Sequence, residues 1–383
     1  MKGNEAIAEA AIQAECRFYA GYPITPQNEI PEYMSLRMPE VKGVFIQAES
    51  ELAAINMVYG ASAAGVRAMT SSSSPGISLK QEAISYLCGA ELPAVIVNIQ
   101  RGGPGLGNIS ASQADYFQAT KGGGHGDYRM IVYAPATIQE SWDLTMKAFD
   151  KADEYRNPAM ILGDGILGQL VEPLIPIPYN RTQTCPEPLG FARDKLRRRN
   201  TEHRLVLSPS ASLGINSVEG TQKKDWILDG CKDREPRVIR SLCMKYEGEL
   251  EDKNWLLKAK YDRMTEREVM YECLYLDDAS FVIIGFGIAA RIATSAVNAA
   301  RKDGMKVGLI RPITLFPFPS CLISDVSDRV KRFLVVEMNL GQMVEDVKLS
   351  ISGRSEVVFY GRPGGGIPTP EEIYGIIKEH YAF

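Results

Sequence analysis

Between residues 18 and 162 the chain repeats one pattern: a short apolar run, a polar or glycine-rich loop, then a helix-forming stretch. The runs at 18–21, 44–46, 67–70, 94–99, 130–133 and 159–162 have the length of buried strands and none reaches that of a membrane span. Strands alternating with helices predict an α/β fold with a doubly wound parallel sheet. Such sheets bind ligands at the carboxyl ends of their strands, so the loops are where chemistry is to be sought.

The corner after residues 44–46 is the most informative of these loops. There QAESELAAINMVYG (47–60) opens a helix with Ser50 as its N-cap, and Glu49 and Glu51 bracket the turn. Small residues follow, among them Ala53, Ala54, Gly60 and Ala61, so another surface can pack closely against this helix. The plain alternative is an acidic first turn favoured by the helix dipole. Upstream, GYPITPQ (21–27) holds Thr25 between two prolines in an extended segment; spacing alone equally allows Thr25 to start a helix over 27–34. The serine run 71–74 precedes a helix over 77–88 and reads either as a set of hydroxyl and N–H donors or as a flexible connector.

The strand 94–99 delivers Arg101 into a loop with four glycines between residues 102 and 107. A guanidinium fixed at a strand mouth suits a carboxylate, whose two oxygens its planar fork matches, so Arg101 is the candidate anion clamp. His125 in GGGHGDY (122–128) could transfer protons, but without an identifiable partner it reads as a residue that shapes the loop.

Beyond residue 178 the texture changes. Residues 179–262 read as a linker or insertion, with a basic cluster at 195–199 that is most simply a solvated face and a Ser- and Gly-rich stretch over 207–221. Helical texture covers 247–276. A second α/β unit follows, with strands at 281–284, 307–310 and 333–337 and helices at 289–303, 341–352 and 370–381. The predicted division is therefore 1–178, 179–262 and 263–383.

The net charge of −4, with lysine and arginine spread along the chain, gives no footprint for nucleic acid or an anionic membrane. Residues 1–16 read as an amphipathic helix rather than a signal peptide, which predicts a cytoplasmic protein. The seven cysteines are scattered without a CxxC pair, arguing against a disulfide framework or an iron–sulfur site in this chain.

Two motifs promise more than their context supports. GFGIAA (285–290) follows a strand and opens a helix as a dinucleotide turn does, but the next strand ends in Arg311 and Pro312, without the acidic residue that binds a ribose. Gly163-Asp164-Gly165 looks like the start of a thiamine diphosphate motif, yet Asn180 is too near and Asn200 too far to complete it.

The segments GNEAIAEAAI (3–12), GYPITPQ (21–27), QAESELAAINMVYGA (47–61), SSSSPGISLKQE (71–82), QRGGPGLGN (100–108), GGGHGDY (122–128) and VEMNLGQM (336–343) resemble the α subunit of 2-oxoacid:ferredoxin oxidoreductases, especially the branched-chain type. Residues 190–222 match no part of that family. The resemblance implies a thiamine diphosphate pyrimidine-binding domain followed by a domain like the transketolase carboxyl-terminal domain. It implies a cofactor shared with a β subunit that holds the diphosphate and magnesium, iron–sulfur clusters in partner subunits, and γ and ferredoxin-like δ subunits. Coenzyme A and ferredoxin would be the co-substrates. Glu51 would be the catalytic glutamate on the aminopyrimidine, preferred over Glu49 because eight residues separate Glu51 from Gly60, as in the wider superfamily. Tyr22, Pro23 and Ser74 would join Glu51 at the cofactor, and Thr25 and Arg101 would receive the 2-oxoacid carboxylate. The alternatives are a 2-oxoglutarate-type α subunit, a non-catalytic assembly subunit, and an NAD-binding dehydrogenase built on GFGIAA.

Overall fold

A computed structural model describes residues 1–176, 179, 203–207, 224, 226–228, 230–231 and 235–381, with 203–207 described in backbone only. The basic cluster 195–199, and residues 190–222 apart from 203–207, lie outside the described residues.

Six parallel strands form the body of the first sheet: β1 (Phe18–Gly21), β2 (Val44–Gln47), β3 (Ala68–Ser72), β4 (Val95–Gln100), β5 (Ile131–Tyr133) and β6 (Ala159–Asp164). Their spatial order is β5-β6-β4-β3-β1-β2. Alternate residues of β4 face opposite layers: Val95 and Val97 pack with α1 (Gly3–Gln13), α2 (Glu29–Glu40) and α6 (Ile138–Tyr155), whereas Ile96 packs with α3 (Glu51–Ala63) and α4 (Ser74–Ala90). Helices on both faces of a parallel sheet are the doubly wound arrangement that the repeat predicts. The strand 44–46, expected to be buried, is instead the sheet's edge, and Val44 is 48% exposed.

The second sheet is mixed, in the order β13-β12-β9-β10-β8-β7, from β7 (His203–Leu207), β8 (Met270–Leu274), β9 (Phe281–Ile284), β10 (Val307–Pro312), β12 (Arg332–Glu337) and β13 (Glu356–Gly361). Here the helical reading of 247–276 needs correction. The helix Glu249–Arg267 stops, and the fully buried run Met270–Leu274 pairs antiparallel with β10 and β7. A short run without helical period, its one charge Glu272 paired inside the fold, is what a strand buried on both faces requires. β13 and the helices Tyr116–Lys121 and Ser320–Ser327 were also not anticipated. No described helix is long and apolar enough to cross a membrane.

A seam joins the two sheets. β11 (Thr314–Phe316) follows β10 but pairs antiparallel with β5, so a strand from the second half of the chain closes one edge of the first sheet. Beside it Arg311, buried on β10, ion-pairs with Glu140 of α6 at 2.6 Å and Glu272 of β8 at 2.8 Å. Both carboxylates are buried, so removing the guanidinium takes a counter-ion from two negative charges. Arg311→Ala is expected to destabilise the chain by ~3–5 kcal/mol, measurable as a lower denaturant midpoint; an unchanged midpoint would show that the seam does not depend on this triad.

Candidate active site

Four neighbouring strands, β4, β3, β1 and β2, end on one side of the first sheet and deliver Arg101, Ser74, the 22–28 loop and Glu51 respectively. The first turn of α4 is their common support. Ser74 Oγ accepts the Arg101 backbone N–H at 3.0 Å and donates to Asp115 Oδ2 at 2.6 Å. Asn98 Nδ2 donates to the same carboxylate oxygen at 2.8 Å, and its Oδ1 accepts the Ser74 N–H at 3.1 Å. Burial raises the Asp115 carboxyl above its ordinary value, against the hydrogen bonds from Ser74 and Asn98. This knot uses the Ser74 hydroxyl to fix where Arg101 leaves the strand. Asp115, for which the sequence carried no signal, is its anchor.

Glu51 begins α3, with the Ser50 hydroxyl accepting the Ala53 N–H at 3.1 Å as the cap. Its side chain is buried, whereas Glu49 is exposed, so geometry separates the two carboxylates that bracket the corner. It lies against Gly76 of α4: a Cβ there would stand 2.7 Å from Glu51 Oε1 and 2.1 Å from Ser72 Oγ. Gly76 is therefore what allows the acid to lie flat on the helix. Among the described residues Glu51 has no hydrogen-bond partner. Ser72 Oγ and Ser73 Oγ nearby are buried without partners too. Buried polar groups are ordinarily satisfied, so this cluster fits a polar ligand whose nitrogen can share a proton with the acid.

Arg101 is buried, with Nη1 donating to Thr25 O at 3.0 Å and Nη2 to Leu106 O at 3.3 Å, while Nε has no partner among the described residues. A buried guanidinium satisfied only by two carbonyls retains affinity for an anion. The structure thus brings Arg101 to Thr25, which is exposed together with Tyr22 and Pro23 on the loop. That loop is tied down from below: Asn4 Nδ2 donates to Pro26 O at 2.8 Å, and Ser71 Oγ bonds both Tyr19 OH at 2.6 Å and Gln27 Oε1 at 2.5 Å. The helix after it starts at Glu29, so Thr25 belongs to the loop and not to a helix start. His125 is exposed, edge-on to Tyr86 with ring centroids 5.9 Å apart. Its loop is held by Tyr128 OH, which accepts the N–H groups of Gly123 and Gly124.

GFGIAA and Gly163-Asp164-Gly165 meet each other. Asp164 Oδ1 accepts the N–H of Ile166 and of Leu167, each at 3.0 Å, and the carboxylate also takes the N–H of Ile288. Burial raises this acid to about 6, opposed by those three donors. Gln113 Nε2 donates to Phe286 O at 2.9 Å on the same turn. A carboxylate thus already lies at the helix start where a dinucleotide's pyrophosphate would need the N–H groups, and a second anion there would be repelled.

A family model described as pyruvate flavodoxin/ferredoxin oxidoreductase, thiamine diphosphate-binding, matches residues 9–216, and one for pyruvate:ferredoxin oxidoreductase core domain II matches 279–373. Ketoisovalerate oxidoreductase subunit VorB of Methanothermobacter thermautotrophicus is 46% identical over 99% of this chain and 97% of its own. The 2-oxoglutarate synthase subunit KorA of the same organism is 37% identical, over 98% and 97%. Among solved structures, 2-oxoglutarate:ferredoxin oxidoreductase from Magnetococcus marinus, with 2-oxoglutarate, coenzyme A and succinyl-CoA bound, is similar with a TM-score of 0.77 at 25% identity. The similarity covers 99% of this chain and 64% of that one, so this chain spans less than two thirds of that protein's length. A split-gene transketolase shares the fold, with a TM-score of 0.57 at 12% identity over 100% of this chain and 98% of that one. On the strength of its near full-length relatives and the two family domains, the chain belongs to the 2-oxoacid:ferredoxin oxidoreductase family, as a subunit bearing a thiamine diphosphate-binding domain.

Proposed function

We propose that this chain is the α subunit of a thiamine diphosphate-dependent oxidoreductase that converts a branched-chain 2-oxoacid, such as 2-oxoisovalerate, and coenzyme A to an acyl-CoA and carbon dioxide. The observation that carries the reading is the convergence, on the first turn of α4, of a buried acid, Glu51, without a hydrogen-bond partner among the described residues, and a buried arginine, Arg101, without a counter-ion among them. When bound, thiamine diphosphate supplies the carbanion that attacks the keto carbon and the sink for the electrons left by decarboxylation. Glu51 shares a proton with the pyrimidine nitrogen and so sets the cofactor's tautomer. Tyr22, Pro23 and the Ser74 turn border the cofactor, and Arg101 with Thr25 holds the substrate carboxylate. A β subunit holds the diphosphate and magnesium. Iron–sulfur clusters of β and of a ferredoxin-like δ subunit would supply the one-electron route to ferredoxin, with γ completing a cytoplasmic complex. The residue division 1–178, 179–262 and 263–383 belongs to the same reading.

The branched-chain assignment is supported by the higher identity to the ketoisovalerate subunit of Methanothermobacter thermautotrophicus, 46%, than to the 2-oxoglutarate subunit of that organism, 37%. The test is anaerobic reduction of a low-potential acceptor by this chain with its co-purifying subunits, given the cofactors, coenzyme A and a panel of 2-oxoacids. Turnover with 2-oxoisovalerate is expected. Turnover with 2-oxoglutarate alone would transfer the substrate assignment, and no turnover with any 2-oxoacid would return the chain to an assembly role.

A further inference from the structure

Lys80 of α4 is completely buried in the first domain's core, a position at which a cation ordinarily costs stability. Its ammonium donates to Thr70 Oγ1 at 2.6 Å and to Ser71 O at 3.2 Å, both neutral groups of β3. Lys80 lies four residues after Gly76, so the two share a face of α4, and helical side chains lean toward the N-terminus. The lysine is therefore directed at the end of α4 where Glu51 and Ser72 crowd Gly76. Around the ammonium, β3 offers Thr70 and the Ser71 carbonyl, β1 offers the neutral Tyr19 hydroxyl through Ser71, and α3 offers Glu51. Burial lowers Lys80 to about 7, and the Glu51 charge opposes that fall. No direct ion pair joins them among the described residues.

We propose that Lys80 is a positioning residue for Glu51: its buried ammonium, anchored on β3, holds the Glu51 carboxylate turned away from the core, toward the ligand side. The inference rests on the reading of Glu51 as the cofactor's proton partner. A cation behind the acid lies nearer the carboxylate than the nitrogen in front of it, so it favours the arrangement in which the shared proton sits on that nitrogen. A methionine would fill the same volume without the burial penalty, which makes the lysine a feature retained against stability.

The test is a double-mutant cycle on the full chain with Lys80→Met and Glu51→Gln, followed by thermal unfolding from pH 6 to pH 10. With Lys80 lowered to about 7 in the fold, the unfolded chain binds more protons between that pH and lysine's ordinary value. The unvaried chain therefore gains stability as pH rises through this window. Lys80→Met is expected to melt higher at pH 7 and to lose that slope. Glu51→Gln is expected to extend the slope to lower pH, and the two shifts should not add. In the assembled enzyme Lys80→Met should lower kcat about tenfold and move the acid limb of its pH profile up by about one unit, with KM for the 2-oxoacid unchanged. Additive shifts in the cycle, or coupled shifts with an unmoved pH profile, would overturn the role of Lys80. An unvaried complex inactive toward every 2-oxoacid would instead remove the functional reading, and the cycle would still decide whether the two side chains act on each other.

Discussion

Glu51→Gln lowers turnover of the assembled enzyme by ~10²–10⁴-fold while the chain stays folded. That is the range in which a positioned proton-transfer group contributes. The amide has nearly the shape of the acid and can lie in the same groove beside Gly76, but it cannot exchange a proton with a heterocyclic nitrogen. Because Glu51 makes no hydrogen bond to a described residue, no hydrogen-bonding partner is left unsatisfied by the change, although Lys80 loses the charge that acts on it. Steady-state acceptor reduction under anaerobic conditions reads the rate, and circular dichroism with thermal unfolding reads the fold. Glu49→Gln is the matched control: that carboxylate is exposed, and its loss should leave turnover within about twofold. Equal losses for both variants would mean that neither acid is the proton partner.

Arg101→Ala raises KM for the 2-oxoacid by ~30-fold or more, the equivalent of the ~2–5 kcal/mol lost when one member of a buried hydrogen-bonded charge pair is truncated. Two contributions act together. The substrate carboxylate loses its fork of donors, and the carbonyls of Thr25 and Leu106 lose the group that holds their loops against each other. Arg101→Lys separates these contributions, since an ammonium keeps the charge but not the planar pair of donors. Lysine is expected to recover part of the affinity. An unchanged KM in the alanine variant would assign carboxylate recognition to another residue and leave Arg101 as a loop brace.

The side of the sheet that carries the site was legible because a parallel strand announces its own end. An apolar run followed by Ser, Gly or a charged residue gives both the strand and the loop, and this located Glu51, Ser74 and Arg101 on neighbouring corners. Ser50 as the cap of α3 was legible for the same local reason. What remained hidden depends on contacts distant in sequence. Asp115 has no motif around it, and its importance arises only when Ser74 and Asn98 turn toward it. Lys80 reads as an ordinary helix lysine until α4 is laid on β3. β8 reads as the end of a helix in the sequence because five residues, four of them apolar or half-polar around Glu272, suit either state, and antiparallel pairing with β10 decides between them. GFGIAA fails as a dinucleotide turn already in the sequence, for want of an acidic residue after Ile310; the second obstacle, a carboxylate from more than a hundred residues earlier, is visible only in the fold.

The strand that crosses the seam also has a consequence for synthesis on the ribosome. β5 is made early, but its antiparallel neighbour Thr314–Phe316 emerges about 180 residues later. At about 5–20 residues per second, that edge stands open for roughly 10–35 s. During this interval the nascent chain presents an apolar strand, Ile131–Tyr133, with unpaired N–H and C=O groups, the template on which chains join edge to edge. Chaperone demand should accordingly fall on the interval before residue 316 leaves the exit tunnel, and a chain ending before that point would be the form most prone to self-association.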